Sequence, residues 1–569
     1  MEKQSNEITY LDIKNYWLKL FPELDSMNEL DTILSDFSNI DSNSIEDFIN
    51  NYKRSSSIDI NTLFSKNTSN ILENISNDIK LEQPFFNFFK PLFNFFIDEF
   101  YESLNTLSLI EDINLFIKDF LVNECTRLLE FSQRTLVLEI NLARLSGKLK
   151  GSSKEERFEY YINNLLNAES YLKTLYSDYS HMYNILITRC MWDFKFLVEV
   201  VMHTKENLLD IKNYLLNTNE DIKISIINSS LGDSHNKGKT VSIVYFNNNK
   251  KIIYKPRSLD LEKGFNKFLS YLDEIDTNTS TPLYKMKVIS KENYGFSEFI
   301  EPKDCNTEND VKNFYYKTGK LLGALFALNA KDIHHENIIA MSDNPIVIDL
   351  EALFHSDVTL IDKRFFKSIE VAQKIIDSSV YSIGFLPQKI SSPYDNNDET
   401  YVDISGFGGE DNQVAPFKAL SIVNGYTDEI KIEKVEGFIQ PQNNNPKLNG
   451  KVAKSENYVN EIKDGFSHIY DILYKNKNEV IPLIQSIFSE MKNRFILRPT
   501  YIYGQLINTS YHPDFMQDEI HRYVLLHRLA VNVEKDFSKV VTSEIQDILQ
   551  GDIPYFYSNI NSNTIKNSK

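Results

Sequence analysis

Asp332 and Asn337 stand in the run Lys331-Asp-Ile-His-His-Glu-Asn337. A short apolar run, Pro345-Ile-Val-Ile-Asp349, follows and leads to Glu351. Phosphoryl transfer needs this set at this spacing. One aspartate positions the attacking hydroxyl, while an asparagine and a later strand-end aspartate hold magnesium against the nucleotide phosphates. Two short fragments also suit a polar loop, so the surrounding elements decide between the readings.

Those elements change character near Asp221. Ile222-Lys-Ile-Ser-Ile-Ile and Thr240-Val-Ser-Ile-Val-Tyr-Phe246 alternate as strands do, Asn247-Asn-Asn-Lys250 reads as a turn, and Lys251-Ile-Ile-Tyr-Lys255 as a further strand. A lysine buried at such a strand end needs an anion, and a nucleotide phosphate supplies one. A lone strand-end lysine is more often solvated; the order Lys255, Asp332, Asp349 favours phosphate. Helices are predicted over Leu259 to Leu272 and Asn309 to Asn329, with strands over Tyr284 to Ile289 and Gly295 to Ile300. Helix, polar loop, short strand and terminal aspartate follow one another as in a kinase large lobe. Asp332-Ile-His334-His-Glu-Asn337 resembles the D-R-H-x-x-N of lipid kinases, with Ile333 in place of arginine.

The chain has 569 residues, enough for two or three domains. A net charge of −19 and no Lys/Arg run argue against a duplex nucleic-acid partner. Cys125, Cys190 and Cys305 are too scattered for a disulfide ladder or a structural zinc site, and suit a reducing cytoplasm. The N-terminus has no apolar signal core, and the most apolar window, Pro84 to Phe96, is too short and too interrupted to span a bilayer. That window reads as an aromatic core or an interaction surface.

The expected fold is α+β: a lipid-kinase-like two-lobed catalytic core with a helical N-terminal region and helical C-terminal additions. Residues 1–220 form the helical region, 221–300 a small lobe and 301–364 a large lobe with the catalytic and metal loops. Residues 365–460 are an insertion of activation-segment type. It holds the loops Pro393 to Glu399 and Pro441 to Pro446 and the glycine-dense turn Asp403 to Gly409. Residues 461–556 return to helix, and 557–569 read as a polar, disordered tail.

With these pieces assembled, the chain resembles the dehydratase domain of the class II lanthipeptide synthetases, the LanM enzymes. The resemblance rests on Gly232-Asp-Ser-His-Asn-Lys-Gly-Lys-Thr-Val241, Tyr254-Lys-Pro-Arg-Ser-Leu259, Tyr294-Gly-Phe, the Asp332 loop, Asp349-Leu-Glu351, Arg494-Phe-Ile-Leu-Arg-Pro-Thr500 and Gly551-Asp-Ile-Pro-Tyr-Phe556. It implies two reactions in one cleft. ATP and Mg2+ serve to phosphorylate Ser and Thr of a ribosomal precursor peptide, and the phosphate is then eliminated to leave dehydroalanine or dehydrobutyrine. By the same resemblance Lys255 holds nucleotide phosphates, and Asp332 orients or deprotonates the hydroxyl with support from His334. Asn337 and Asp349 bind magnesium, with Glu351 beside them. Asp233, His235, Arg494 and Thr500 match the elimination positions. On their own, Gly-Asp-Ser-His reads as a turn and Arg494 as a helix-face charge. Arg498 shares that predicted face, which leaves open which arginine contacts phosphate.

Family members continue into a cyclase domain whose zinc site uses two cysteines and a histidine. This chain ends at Lys569 with no cysteine beyond Cys305, so it reads either as the dehydratase piece of a larger protein or, the form the polar tail favours, as a free-standing dehydratase, with a separate cyclase or exporter as further partners. Two rivals remain: a kinase that stops at phosphopeptide, and a non-catalytic scaffold that binds the leader peptide.

Overall fold

The computed structural model describes residues 10–567, apart from 39, 41–44, 56, 277–280, 357–359, 361–366, 389, 392–400 and 410–412. The architecture is α+β. The predicted loop at Pro393 to Glu399 and the start of the predicted insertion at Phe365 lie outside the described residues.

The first part is helical because its apolar residues recur at helical spacing with few breakers. Two long helices, Ile113–Leu145 and Ser180–Glu206, pack with Phe86–Leu107. Phe86, Phe88, Phe89 and Phe93 are essentially fully buried, so the aromatic window is core and not an interaction surface. Each such ring contributes about 1.5–3 kcal/mol by leaving water. Among the described residues no helix is long and apolar enough to cross a membrane.

Beside these helices lies a five-stranded antiparallel sheet of order β1-β2-β3-β5-β4. Its strands are β1 (Ile224–His235), β2 (Lys239–Phe246), β3 (Lys251–Lys255), β4 (Val288–Ser290) and β5 (Gly295–Glu298). In β2 every second residue is buried, as a sheet covered on one face requires. The predicted strand at Tyr284 forms only from Val288 onward, while the predicted helix beginning at Leu259 becomes Asp260–Ile275.

The Glu308–Ala327 helix starts at a capping box. The Thr307 hydroxyl accepts the Asp310 N–H, and the Asp310 carboxylate accepts that of Thr307. Its far end feeds directly into the Asp332 loop, so its placement sets that of the loop. The helix is pressed against Val459–Lys475 at two glycines. A Cβ on Gly465 would lie 2.0 Å from the Tyr316 carbonyl, and one on Gly319 would lie 2.0 Å from the Ile462 carbonyl. Gly465→Ala must therefore push two backbones apart. It is expected to cost about 1–3 kcal/mol, read as a lower urea midpoint at unchanged slope.

Two main cores result. One joins the N-terminal helices to β1–β3 and to the helices between Thr500 and Leu549. The other gathers the Asp260, Glu308 and Val459 helices around the Asp332 loop. The C-terminal helices are fastened to the N-terminus by Trp17, which donates to His521 at 2.9 Å, and by the Arg54–Asp518 pair at 2.7 Å. Arg494 lies where the chain crosses from the second core to the first.

Two elements differ from those the sequence predicts. Arg494 sits on a strand, Lys492–Phe495, and not on a helix. The tail is ordered through Asn567: Phe556–Asn559 pairs with the Arg494 strand and with Lys566–Asn567 in a three-stranded sheet. Its polar composition misleads because backbone strand pairing, with hydrogen bonds from Ser558, Ser562 and Asn567, holds it without an apolar stripe.

Candidate active site

Asp332 adopts a left-handed backbone, φ 65°, which L-residues rarely occupy. The Asn337 amide donates to the Asp332 carbonyl at 2.8 Å and closes the loop on itself. Ile333 is buried beneath it and donates its N–H to the Ile383 carbonyl at 2.9 Å, so its side chain serves packing. His334 lies 3.9 Å from the Asp332 carboxylate. His335 holds the Ile404 carbonyl at 2.9 Å and ties the loop to the Asp403–Gly409 turn. Asp332 is half-buried. Burial raises its pKa above the ordinary aspartate range, although the fields of His334 and Arg494 draw it down.

After the loop, β6 (Ile338–Met341) and β7 (Asn344–Val347) form a hairpin that delivers Asp349. Lys255, buried at the end of β3, reaches across to the Ile348 carbonyl at 2.7 Å and to the Asp349 carboxylate at 3.0 Å. Arg257 takes the other Asp349 oxygen at 2.7 Å, Glu262 at 2.6 Å and Glu351 at 3.1 Å. Burial works against the charge on Asp349, yet Arg257 and Lys255 together hold it well below the ordinary carboxylate range.

Glu351 is the junction. One oxygen accepts from Arg494 at 2.6 Å, and the other faces Arg257 and the Tyr555 hydroxyl, the latter at 3.4 Å. The Arg494 N–H also donates to the Glu351 carbonyl at 2.7 Å. The Arg494 guanidinium lies over the Tyr555 ring, 5.3 Å from its centre, and His235 packs edge-on against the same ring at 5.3 Å. The His235 Nδ1 faces the Ile553 carbonyl at 2.8 Å. It can only donate there, so the neutral ring carries its acceptor on Nε2. Burial, reinforced by Arg494, lowers the His235 pKa below the ordinary histidine range, while Ile553, Glu351 and Asp233 pull it back.

The structure thus brings Lys255, Asp332, His334, Asn337, Asp349, Glu351, Arg494 and His235 into one neighbourhood of contacts and mutual fields centred on Asp349 and Glu351. Asp233 is exposed and contributes its field to His235 without a hydrogen bond to it. Thr500 opens the Thr500–Ser510 helix, half-buried, and makes no hydrogen bond to the other candidates among the described residues. Arg498 points elsewhere. It is paired with buried Glu544 at 2.9 Å and donates to the Leu529 carbonyl, which leaves Arg494 as the arginine that joins the Glu351 cluster. Arg257 and Tyr555 carry no role in the sequence reading. Both stand inside quoted motifs, Tyr-Lys-Pro-Arg and Ile-Pro-Tyr-Phe, and that was their only signal.

Asn337, Asp349 and Glu351 offer oxygen donors, the kind magnesium takes. Among the described residues no cluster of three or more His, Cys, Asp or Glu is arranged to hold a metal by itself. Two carboxylates and an amide are the donor chemistry of a magnesium site beside a nucleotide. In this structure both Asp349 oxygens face Lys255 and Arg257, and both Glu351 oxygens face Arg494 and Arg257, so an ion would have to displace those cations.

Arg257 is also structural. Glu262 is 1 % exposed, and losing its partner would bury an uncompensated charge. Arg257→Met is expected to cost about 3–5 kcal/mol in urea unfolding, and adding Glu262→Leu should recover most of it.

An α+β chain with a buried carboxylate–cation cluster of this kind can be placed by comparison. Residues 179–559 match the family model described as Domain of unknown function (DUF4135), and the chain belongs to that family. It is similar to the lacticin 481/lactococcin biosynthesis protein LcnDR2 of Lactococcus lactis subsp. lactis, 28% identical over 492 residues. The match covers 83% of this chain and 49% of that protein, so the chain spans about half the length of the curated relative it matches. These matches bear out the resemblance to class II lanthipeptide synthetases.

Proposed function

We propose that this chain phosphorylates Ser and Thr of a ribosomal precursor peptide and then eliminates the phosphate, working as a peptide dehydratase. The observation that carries the reading is Glu351, whose two oxygens join Arg257, on the Lys255–Asp349 side, to Arg494, on the His235–Tyr555 side. Two half-sites that share a carboxylate can pass one phosphoryl group between them without releasing the peptide.

In this reading β1–β5 and the Asp260–Ile275 helix form the small lobe of a lipid-kinase-like core, and residues 301–364 form its large lobe. ATP with Mg2+ supplies the phosphoryl group and the charge neutralisation. Asp332 orients the substrate hydroxyl and receives its proton. Lys255 and Arg257 turn from Asp349 toward the phosphates, while Asn337, Asp349 and Glu351 hold the ion. Arg494, freed from Glu351, grips the phosphate on the substrate oxygen through paired N–H groups. His235 then takes the Cα proton on Nε2. The C–H electron pair becomes the Cα–Cβ double bond, and the Cβ–O bond breaks with its pair leaving on phosphate. Thr500, at a helix start, adds a donor to that phosphate. The partners are the precursor peptide and a separate cyclase or exporter. Three free, buried cysteines fit a cytoplasmic location.

Calorimetric titration with ATP and Mg2+ tests the first requirement. Wild-type protein should bind, and Lys255→Met should bind at least tenfold more weakly. Equal binding by both would remove Lys255 from the site, and no binding by the wild type would favour the leader-peptide scaffold.

A further inference from the structure

We infer that Asp552, held by Arg189, is a positioning residue that fixes the turn after β1 and so aims His235 into the cleft beside Arg494. The inference rests on the elimination half of the proposed function.

The turn needs holding. Asn236, Lys237 and Gly238 are three consecutive residues with left-handed backbone, φ 48°, 69° and 77°. Two of them are not glycine, so the conformation is disfavoured unless something outside the hairpin imposes it. The Asp552 carboxylate supplies that restraint and is fully buried. It accepts the Lys237 N–H at 2.7 Å, the Gly238 N–H at 3.0 Å and the Ser234 hydroxyl at 3.1 Å. The next residue completes the clamp: the Ile553 N–H donates to the Ser234 carbonyl at 2.9 Å, and the Ile553 carbonyl takes His235 Nδ1. His235 is therefore gripped on both sides by one short segment, Gly551–Ile553.

Asp552 is itself anchored. Arg189, buried in the Ser180–Glu206 helix, donates to it at 2.6 Å. Asp193, one helical turn on, is held by Arg127 at 2.9 Å, so a row of paired charges runs from the helical region to the turn. Gly238 has no room for a side chain there. A Cβ would lie 2.8 Å from the Asp193 carboxylate and 3.2 Å from the Arg189 guanidinium. The clamp gives the N-terminal helices a part in the chemistry: they hold the loop that carries the proton acceptor. Among the described residues, the hydrogen bonds and ion pairs of Asp552, Arg189, Asp193 and Arg127 include none to Lys255, Asp332 or Asp349.

The test uses full-length protein with Asp552→Asn, and separately the charge-balanced pair Arg189→Gln with Asp552→Asn, in case the single change leaves Arg189 buried and unpaired. Each is given a precursor peptide already carrying phosphoserine, and in parallel the unphosphorylated peptide with ATP and Mg2+. We expect kcat for phosphate elimination to fall on the order of 100-fold with KM within about threefold and phosphorylation within about twofold. Hydrogen exchange at Ser234–Lys239 should speed up while the rest of the sheet stays protected. Elimination at the wild-type rate in a variant whose turn exchanges faster would overturn the positioning role. So would equal loss of both half-reactions, which marks a general structural effect. Wild-type protein that leaves phosphopeptide intact would sink the elimination reading itself, a result distinct from either.

Discussion

Replacing Arg494 by alanine is expected to make phosphopeptide accumulate. The substrate should still gain phosphate, because Lys255, Arg257, Asp332 and Asp349 are untouched, but in the proposed reaction the phosphate should no longer leave. Arg494 is the guanidinium at the cleft that faces His235 across the Tyr555 ring, and it is held in place by Glu351. Removing one fixed donor to a charge that develops in the transition state costs roughly 10²–10³ in rate. Arg494→Ala should lower elimination by about that factor, read as phosphorylated intermediate persisting by mass spectrometry. Arg494→Lys should recover only part of it, since a lysine lacks the paired N–H fork. Arg498→Ala is a contrasting case. It breaks the buried pair with Glu544 and should lower stability without separating the two half-reactions.

The second large effect falls on phosphorylation. Asp332→Asn keeps the shape of the loop but cannot accept the hydroxyl proton. General-base assistance contributes typically 10²–10⁴-fold, so phosphorylation should drop by roughly 10³-fold, while an already phosphorylated peptide is still dehydrated. The wild-type pH profile carries a further signature. Burial raises the Asp332 pKa, and in the proposed reaction the form that accepts the hydroxyl proton is the carboxylate. Phosphorylation should therefore fall on the acid side at a pH above the ordinary aspartate range, and it should be restored by returning to neutral pH. A rate that stays flat down to that range would remove Asp332 as the base.

Sequence legibility followed distance along the chain. The Asp332–Asn337 loop and Asp349 were readable because their spacing is local, and the structure places them together. The alternation of β2 and β3 and the apolar stripe of the Glu308–Ala327 helix were readable for the same reason. Arg494 reads as helical in the sequence because its strand, four residues long, is defined by pairing with Phe556–Asn559, a partner far along the chain. The same remote pairing orders a tail that composition marks as disordered. Arg189 and Asp552 were silent too: neither has a local pattern, and their meaning arises only when a helix and the C-terminal segment meet at the β1–β2 turn. Arg257 was overshadowed by Lys255, two residues earlier, although it holds three carboxylates to the lysine's one.

In the proposed reaction one site both adds phosphate and removes it. The most direct measurement is a mass-spectrometric time course of a Ser/Thr-rich precursor peptide encoded beside this gene, with wild-type protein, ATP and Mg2+. A phosphorylated species that rises and then decays into peptide lighter by one water per modified residue is the expected result. Phosphopeptide that persists unchanged with the wild-type protein would contradict the claim and leave a kinase alone.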